Sequence, residues 1–272
     1  MTSAPNTPGV GNASTLDLAA ALATGSVRVV DLTAPLSSGT PILPLPEPMH
    51  PIPHFELERL NDWDDPGEIS FQNHIHTGEH VGTHFDAPVH WSSGRHLEDV
   101  GSVPAARLVG PAAVVDKSAE CAKDPDYLLG LDELKAWERE HGPLPEGGWL
   151  VYRTGWDTRS DDQAAFLNAD DNGPHTPGLT PQCARYLAEE TGIVGIGVET
   201  VGTDAGQAFR FEPPFPVHHF MLGNGKYGVT QLRGVGELPP VGAVLVVAPL
   251  RIVGGSGSPA RVLALTPAAE GK

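Results

Sequence analysis

The chain has 272 residues, 40% of them hydrophobic, which is enough for one large domain or two small ones with a real core. Its 34 acidic residues against 17 basic ones give a formal net charge of −17, and a surface of that sign repels phosphate backbones and anionic membranes as partners. Two cysteines, Cys121 and Cys183, make no disulfide framework and suit a reducing cytoplasm, and no run approaches the ~18 apolar residues of a membrane helix.

Residues 1–13 are small and polar without a basic start or an apolar run, so they read as a disordered tail and not a signal peptide. A short helix is predicted over 15–24, with Ser14 as cap, Asp17 in the first turn and Gly25 as stop. VRVVDL (27–32) reads as a buried strand, and the Pro-, Asp- and Glu-rich stretch 35–68 as a long loop. LVGPAAVVD (108–116) is a strand. LDELKAWEREHG (131–142) is a helix with Leu131, Leu134 and Trp137 on one side. GWLVYRTGW (148–156) is strand-like, and 157–178 reads as loop. TPQCARYLAEETG (180–192) carries Thr180 as N-cap, Pro181 at the first position and Gly192 at its end. IVGIGV (193–198), AVLVVAPLRI (243–252) and RVLAL (261–265) are further strands. The glycines at 192, 195 and 197 do not form G-x-G-x-x-G and precede a strand, so they read as packing glycines and not a dinucleotide site. With no linker and no repeat, 14–266 reads as one mixed α/β domain and 267–272 as a C-terminal tail.

The chemistry concentrates in HVGTHFDAPVH, residues 80–90. His80, His84, Asp86 and His90 share one parity, so in an extended chain all four project from one face, while Val81, Phe85 and Val89 point into a core. Pro88 would break a helix before His90, which places the motif on a strand and the bend after it. Imidazoles with a carboxylate suit Zn²⁺, Mn²⁺ or Fe²⁺, and three protein ligands leave positions open for water. A closed structural zinc site usually includes cysteine, and neither cysteine is near. His74 and His76 share the parity too and read as surface or pocket-edge residues beyond the Thr77-Gly78 turn. Trp91 either walls a substrate pocket or simply packs.

H-x-G-T-H-x-D-x-P-x-H resembles the signature of the metal-dependent cyclase family, which includes bacterial kynurenine formamidases and isatin hydrolases. DLTAPLSSGTP (31–41), VYRTGW (151–156), PGLTPQCARYLAEETGIVGIGVET (177–200) and GELPPVGAVLVVAPLRIVGGSGSPARVLAL (236–265) resemble its other blocks. The resemblance implies a swivelling β/β/α domain with a mixed, barrel-like sheet flanked by helices, assembled as a homodimer or homotetramer. It implies His80, His84 and Asp86 as metal ligands and His90 as the acid/base histidine beside the metal. A later family histidine matches His218, or His219 with a one-residue slip. The glutamate that helps the formamidase branch hold a second zinc falls on Gln231 here, and Glu199 stands where the family often has Asp. An amide brings no charge, so the expectation is one divalent ion per chain, Mn²⁺ or Zn²⁺, with Gln231 as a fourth ligand and His218 free to act on substrate.

The expected reaction is hydrolysis of an amide C–N bond in an aryl formamide or a cyclic amide such as isatin, by water activated at the metal. His90 would move the proton to the leaving nitrogen. Trp63, Trp91, Phe209, Phe211 and Phe215 are candidates for an aromatic wall around an aromatic small molecule, with Phe85 facing away. The competing readings are a metal-dependent ring closure on a polyketide and a non-catalytic binding protein that retains the fold.

Overall fold

Seven strands close into a ring in the computed structural model, which describes residues 15–45 and 47–268. Helix α1 (Thr15–Thr24) leads into β1 (Val27–Asp31); the hairpin β2 (Glu56–Asn61) and β3 (Gln72–His76) precedes β4 (His84–Asp86). There follow β5 (Val109–Asp116), α2 (Leu131–His141), β6 (Trp149–Arg153), α3 (Pro181–Glu189), β7 (Gly195–Val198), β8 (Tyr227–Thr230), β9 (Ala243–Pro249) and β10 (Gly257–Pro267). Strands β5, β6, β7 and β8 run parallel to one another; β9 and β10 are antiparallel additions. The short β4 closes the ring by pairing antiparallel with β8 on one edge and with the start of β10 on the other. The far half of β10 carries β1 on that same free edge.

Alternation along the parallel strands sorts their side chains into two cores. Ala112 and Val114 of β5 with Trp149 and Val151 of β6 pack into the barrel beside Phe85, Tyr227, Val247 and Val262. Ala113, Val115, Leu150 and Tyr152 face outward against Leu134 of α2 and Cys183 and Leu187 of α3. Both faces of these strands are covered, which is why they read in the sequence as continuous apolar runs. The expected barrel-like sheet with helices is therefore present.

Several expectations are corrected. The stretch 35–68, expected to be a loop, contains β2, which pairs with β3 in a two-stranded ribbon of its own. Its residues are exposed or half-buried, so it lacks the buried face that marks a strand in sequence. Residues 157–178 hold a short helix, Gln163–Leu167, whose cap is Asp162 accepting from the Ala165 amide at 2.8 Å. Strand β1 is not buried throughout: Val30 is, but Val29 is 53% exposed. Helix α3 is capped by Thr180 as expected but ends at Glu189, ahead of Gly192. Strand β8 is an addition to the predicted elements, because its sequence YGVT is only four residues long and contains a glycine. β10 reaches Pro267, the first residue assigned to a tail. Ser14, the N-terminal tail and residues 269–272 lie outside the described residues.

Candidate metal centre and active site

Strand β4 presents His84 and Asp86 on one side and drives Phe85 into the barrel on the other. His80 comes from the turn before it. Gly82 has φ +64°, and an added Cβ there would meet Leu36 Cδ2 at 2.5 Å. The chain is thus not extended from 80 to 84, and shared parity is not what unites the motif. The turn instead folds His80 over the strand, so that its Nδ1 lies 2.8 Å from Asp86 Oδ1. Gly257 of β10, paired with Asp86, leaves room for that ring: a Cβ would come within 2.6 Å of His80 Cε1. The expectation of a strand plus a bend holds only for 84–86, followed by a 3₁₀ turn at Pro88–His90.

One nitrogen from each of His80 and His84 and one oxygen of Asp86 lie within 4.8 Å of one another. Burial first disfavours protonation of His84 and takes its pKa down to about 4, with Asp86 opposing. Burial works against charge on Asp86, but His84 and the hydrogen bond from His80 hold its carboxyl well below the usual range. The cluster therefore offers an anionic carboxylate and a neutral imidazole, the protonation states a metal takes. A buried carboxylate beside the neutral His84 ring calls for a cation, so these residues fit a divalent ion of the Zn²⁺ or Mn²⁺ type.

Other groups hold these donors in place. Ser256 Oγ lies 2.9 Å from His80 Nε2 and donates to Glu79 Oε2 at 2.5 Å. His84 Nδ1 donates to the Gly82 carbonyl at 2.7 Å, and Thr230 Oγ1 sits 3.0 Å from the same nitrogen. Thr230 is the β8 residue paired with His84. Its neighbour Gln231, at φ +55°, turns its amide nitrogen toward the Pro41 carbonyl at 3.5 Å.

His90 stacks on His80 with ring centroids 3.8 Å apart. Burial takes its pKa down to about 3, with Asp86 opposing. Facing it across 5.7 Å is His218, at the head of a π-helical turn, His218–Leu222. Its Nδ1 donates to Asp204 Oδ2 at 2.6 Å, and the same carboxylate accepts the Val217 and His218 amides at 2.7 and 3.0 Å. Burial opposes the charge on His218, but Asp204 prevails and its pKa lies above the ordinary histidine value. His219 sits edge-on to Phe220 instead, so His218 is the one that meets His90 and Trp91. Trp91 lies 4.7 Å from His218 and 5.6 Å from Phe215, forming an aromatic corner. Trp63 stacks on Phe71 in the outer hairpin and Phe209 covers Gly173, so neither joins that corner.

Sequence reasoning missed Thr230, Ser256 and Asp204. Each reaches the cluster only through strand pairing or a distant turn, and no local spacing marks it. Glu199 has a structural place: its Oε2 accepts from the Thr154 amide and hydroxyl and the Gly155 and Trp156 amides after β6.

Residues 30–205 match the family model described as putative cyclase. The chain is 47% identical over 255 residues to an isatin hydrolase of Roseibium aggregatum, covering 93% of this chain and 97% of that one. It is 30% identical over 189 residues to a kynurenine formamidase of Salinibacter ruber, covering 68% and 74%. A solved isatin hydrolase bound to the product analogue thioisatinate superposes with a TM-score of 0.92 at 44% identity, covering 96% and 100%. The chain belongs to the cyclase family. Within that family it is an enzyme, a metal-dependent hydrolase that cleaves an amide C–N bond. The relatives support that reaction over ring closure on a polyketide.

Proposed function

We propose that this enzyme opens the cyclic amide of an isatin-type substrate, using one divalent ion, manganese or zinc, held by His80, His84 and Asp86. The observation that carries the proposal is the buried three-donor cluster with His90 stacked against it, in a chain 47% identical to an isatin hydrolase. Gln231 joins as a fourth donor through Oε1, its Nε2 being turned toward Pro41. The oxygen of water bonds to the amide carbonyl carbon, the C–N bond breaks, and the nitrogen leaves as an arylamine with one proton of that water. A divalent ion bound there supplies Lewis acidity and lowers the pKa of the attacking water.

The remaining work falls to the chain's own side chains. His90, kept neutral by burial, accepts a proton on a ring nitrogen and returns it to the leaving nitrogen. His218, its Nδ1 proton committed to Asp204, offers Nε2–H to a substrate oxygen that gains negative charge. Trp91 and Phe215 flank the fused aromatic ring. Burial of His84 and Asp86 strengthens their electrostatic attraction for a bound cation.

The proposal also includes assembly into a homodimer or homotetramer, supported by apolar side chains left open on the outer hairpin, Ile75 among them at 67% exposure. A cytoplasmic location is supported by Cys121 and Cys183, both free and buried. The test is an assay of manganese- or zinc-loaded protein on isatin and, in parallel, on an aryl formamide. Turnover of isatin is expected. Turnover of the formamide alone moves the substrate to the formamidase branch, and turnover of neither rejects the substrate class.

A further inference from the structure

We propose that the outer hairpin carries a second metal site, in which Glu58, His74 and His76 bind a borderline divalent ion such as Zn²⁺ and clip the two strands together. The site is built by strand register. Glu58 of β2 lies directly opposite His74 of β3, and Glu56 opposite His76. Directly opposed residues share a face, and residues two apart on a strand share it too, so both histidines and both glutamates stand on one side of the ribbon.

The side chains have already converged. His76 Nε2 lies 2.9 Å from Glu58 Oε2, and His74 Nδ1 lies 3.6 Å from the same oxygen. The two imidazoles are perpendicular, with centroids 6.0 Å apart. One nitrogen from each ring and one carboxylate oxygen fall within 4.8 Å of one another. An ion bound by nitrogen and oxygen at ~2.0–2.2 Å needs donors about 3–3.6 Å apart, so small rotations of the exposed side chains suffice. Two imidazoles with one carboxylate favour Zn²⁺, Co²⁺, Ni²⁺ or Cu²⁺ over Mg²⁺ or Ca²⁺. Glu56 stands beside His76 to add charge or a fourth ligand.

The ribbon has a use for such an ion. Among the described residues of one chain, β2 and β3 pair only with each other, and their residues are exposed or half-buried on both faces. A two-stranded ribbon without a buried face is marginally stable in water. An ion held from both strands would fix it, as a staple does in small domains with too little core. The site shares no residue with the buried cluster of His80, His84 and Asp86.

The experiment titrates Zn²⁺ into full-length protein whose catalytic centre already holds its ion, with metal counted by elemental analysis after dialysis. Intact protein should take up one Zn²⁺ per chain more than the H74A/H76A variant, and that variant should keep its catalytic ion and its hydrolytic activity. Uptake should weaken on acidification, as protons compete for the imidazoles. Amides of residues 56–61 and 72–76 should exchange about tenfold more slowly with Zn²⁺ in the intact chain and not in the variant. H84A, which disrupts the other cluster, should retain the hairpin uptake. Equal Zn²⁺ uptake by the intact chain and H74A/H76A overturns the site, and uptake without slower exchange overturns the clip.

Discussion

His90 and His218 face each other with ring centroids 5.7 Å apart, yet their surroundings drive their protonation in opposite directions. His90 is desolvated against His80 and pushed down to about 3. His218 leans on Asp204 and is held above the ordinary value. One ring is thus held neutral while the other favours its protonated form, so two histidines in contact differ in charge state.

His90→Ala should keep the metal and lower kcat by about 10²-fold or more, the usual scale for a general acid–base residue. Elemental analysis beside steady-state kinetics checks it. Loss of the metal would make His90 a ligand, and retained turnover would reject the proton-transfer role.

His84→Ala removes one of three converging donors and leaves Asp86 buried without that partner. The variant should lose most of its metal and its activity. Unchanged metal content would show that the ion sits elsewhere.

Asp204→Asn should act through His218 without touching substrate. In the intact chain the raised pKa keeps His218 cationic up to higher pH, and the stability and catalysis that need the charge are lost as pH rises through that value. Without the carboxylate, burial pulls the pKa down, so the alkaline limb of the kcat/KM profile should move to lower pH. A profile displaced only in height would assign Asp204 a structural role alone.

The metal count tests Gln231. Two dications ~3.5–4 Å apart need nearby carboxylates, and beside Asp86 the neighbouring ones are engaged, Asp204 with His218 and Glu79 with Ser256. Intact protein saturated at the catalytic centre should hold one ion there, and Gln231→Glu should raise affinity for another. The count is read on the H74A/H76A background so that hairpin uptake does not enter it. Two tightly held ions in that background would point to the formamidase-like arrangement.

Glu199 offers a stability test. Burial, with the Asp157 charge, pushes its pKa up to about 7 against the donors at residues 154–156. The folded state then holds this proton more tightly than the unfolded chain, so stability is lost as pH rises from about 4.5 through 7. Glu199→Gln carries no such penalty. The Tm of the variant minus that of the intact protein should be larger at pH 8 than at pH 5, and a pH-independent difference would contradict the shift.

The sequence by itself determined the donor types and their density: three histidines and an aspartate in eleven residues mark metal chemistry wherever they fold. It also determined the inner strands apart from β8, and helices α2 and α3, because a strand covered on both faces is mostly apolar and an amphipathic helix must repeat with its own period. Tertiary structure decided the rest. His80 reaches Asp86 through a left-handed turn at Gly82 and a space left by Gly257, whereas parity on an extended strand suggested the same grouping for a different reason. Thr230, Ser256 and Asp204 enter the site from turns and strands far along the chain, and a hydrogen bond across that separation leaves no periodic trace. The hairpin at 56–76 stayed hidden because it buries neither face, so the alternation that betrays a half-buried strand never had to be written into it.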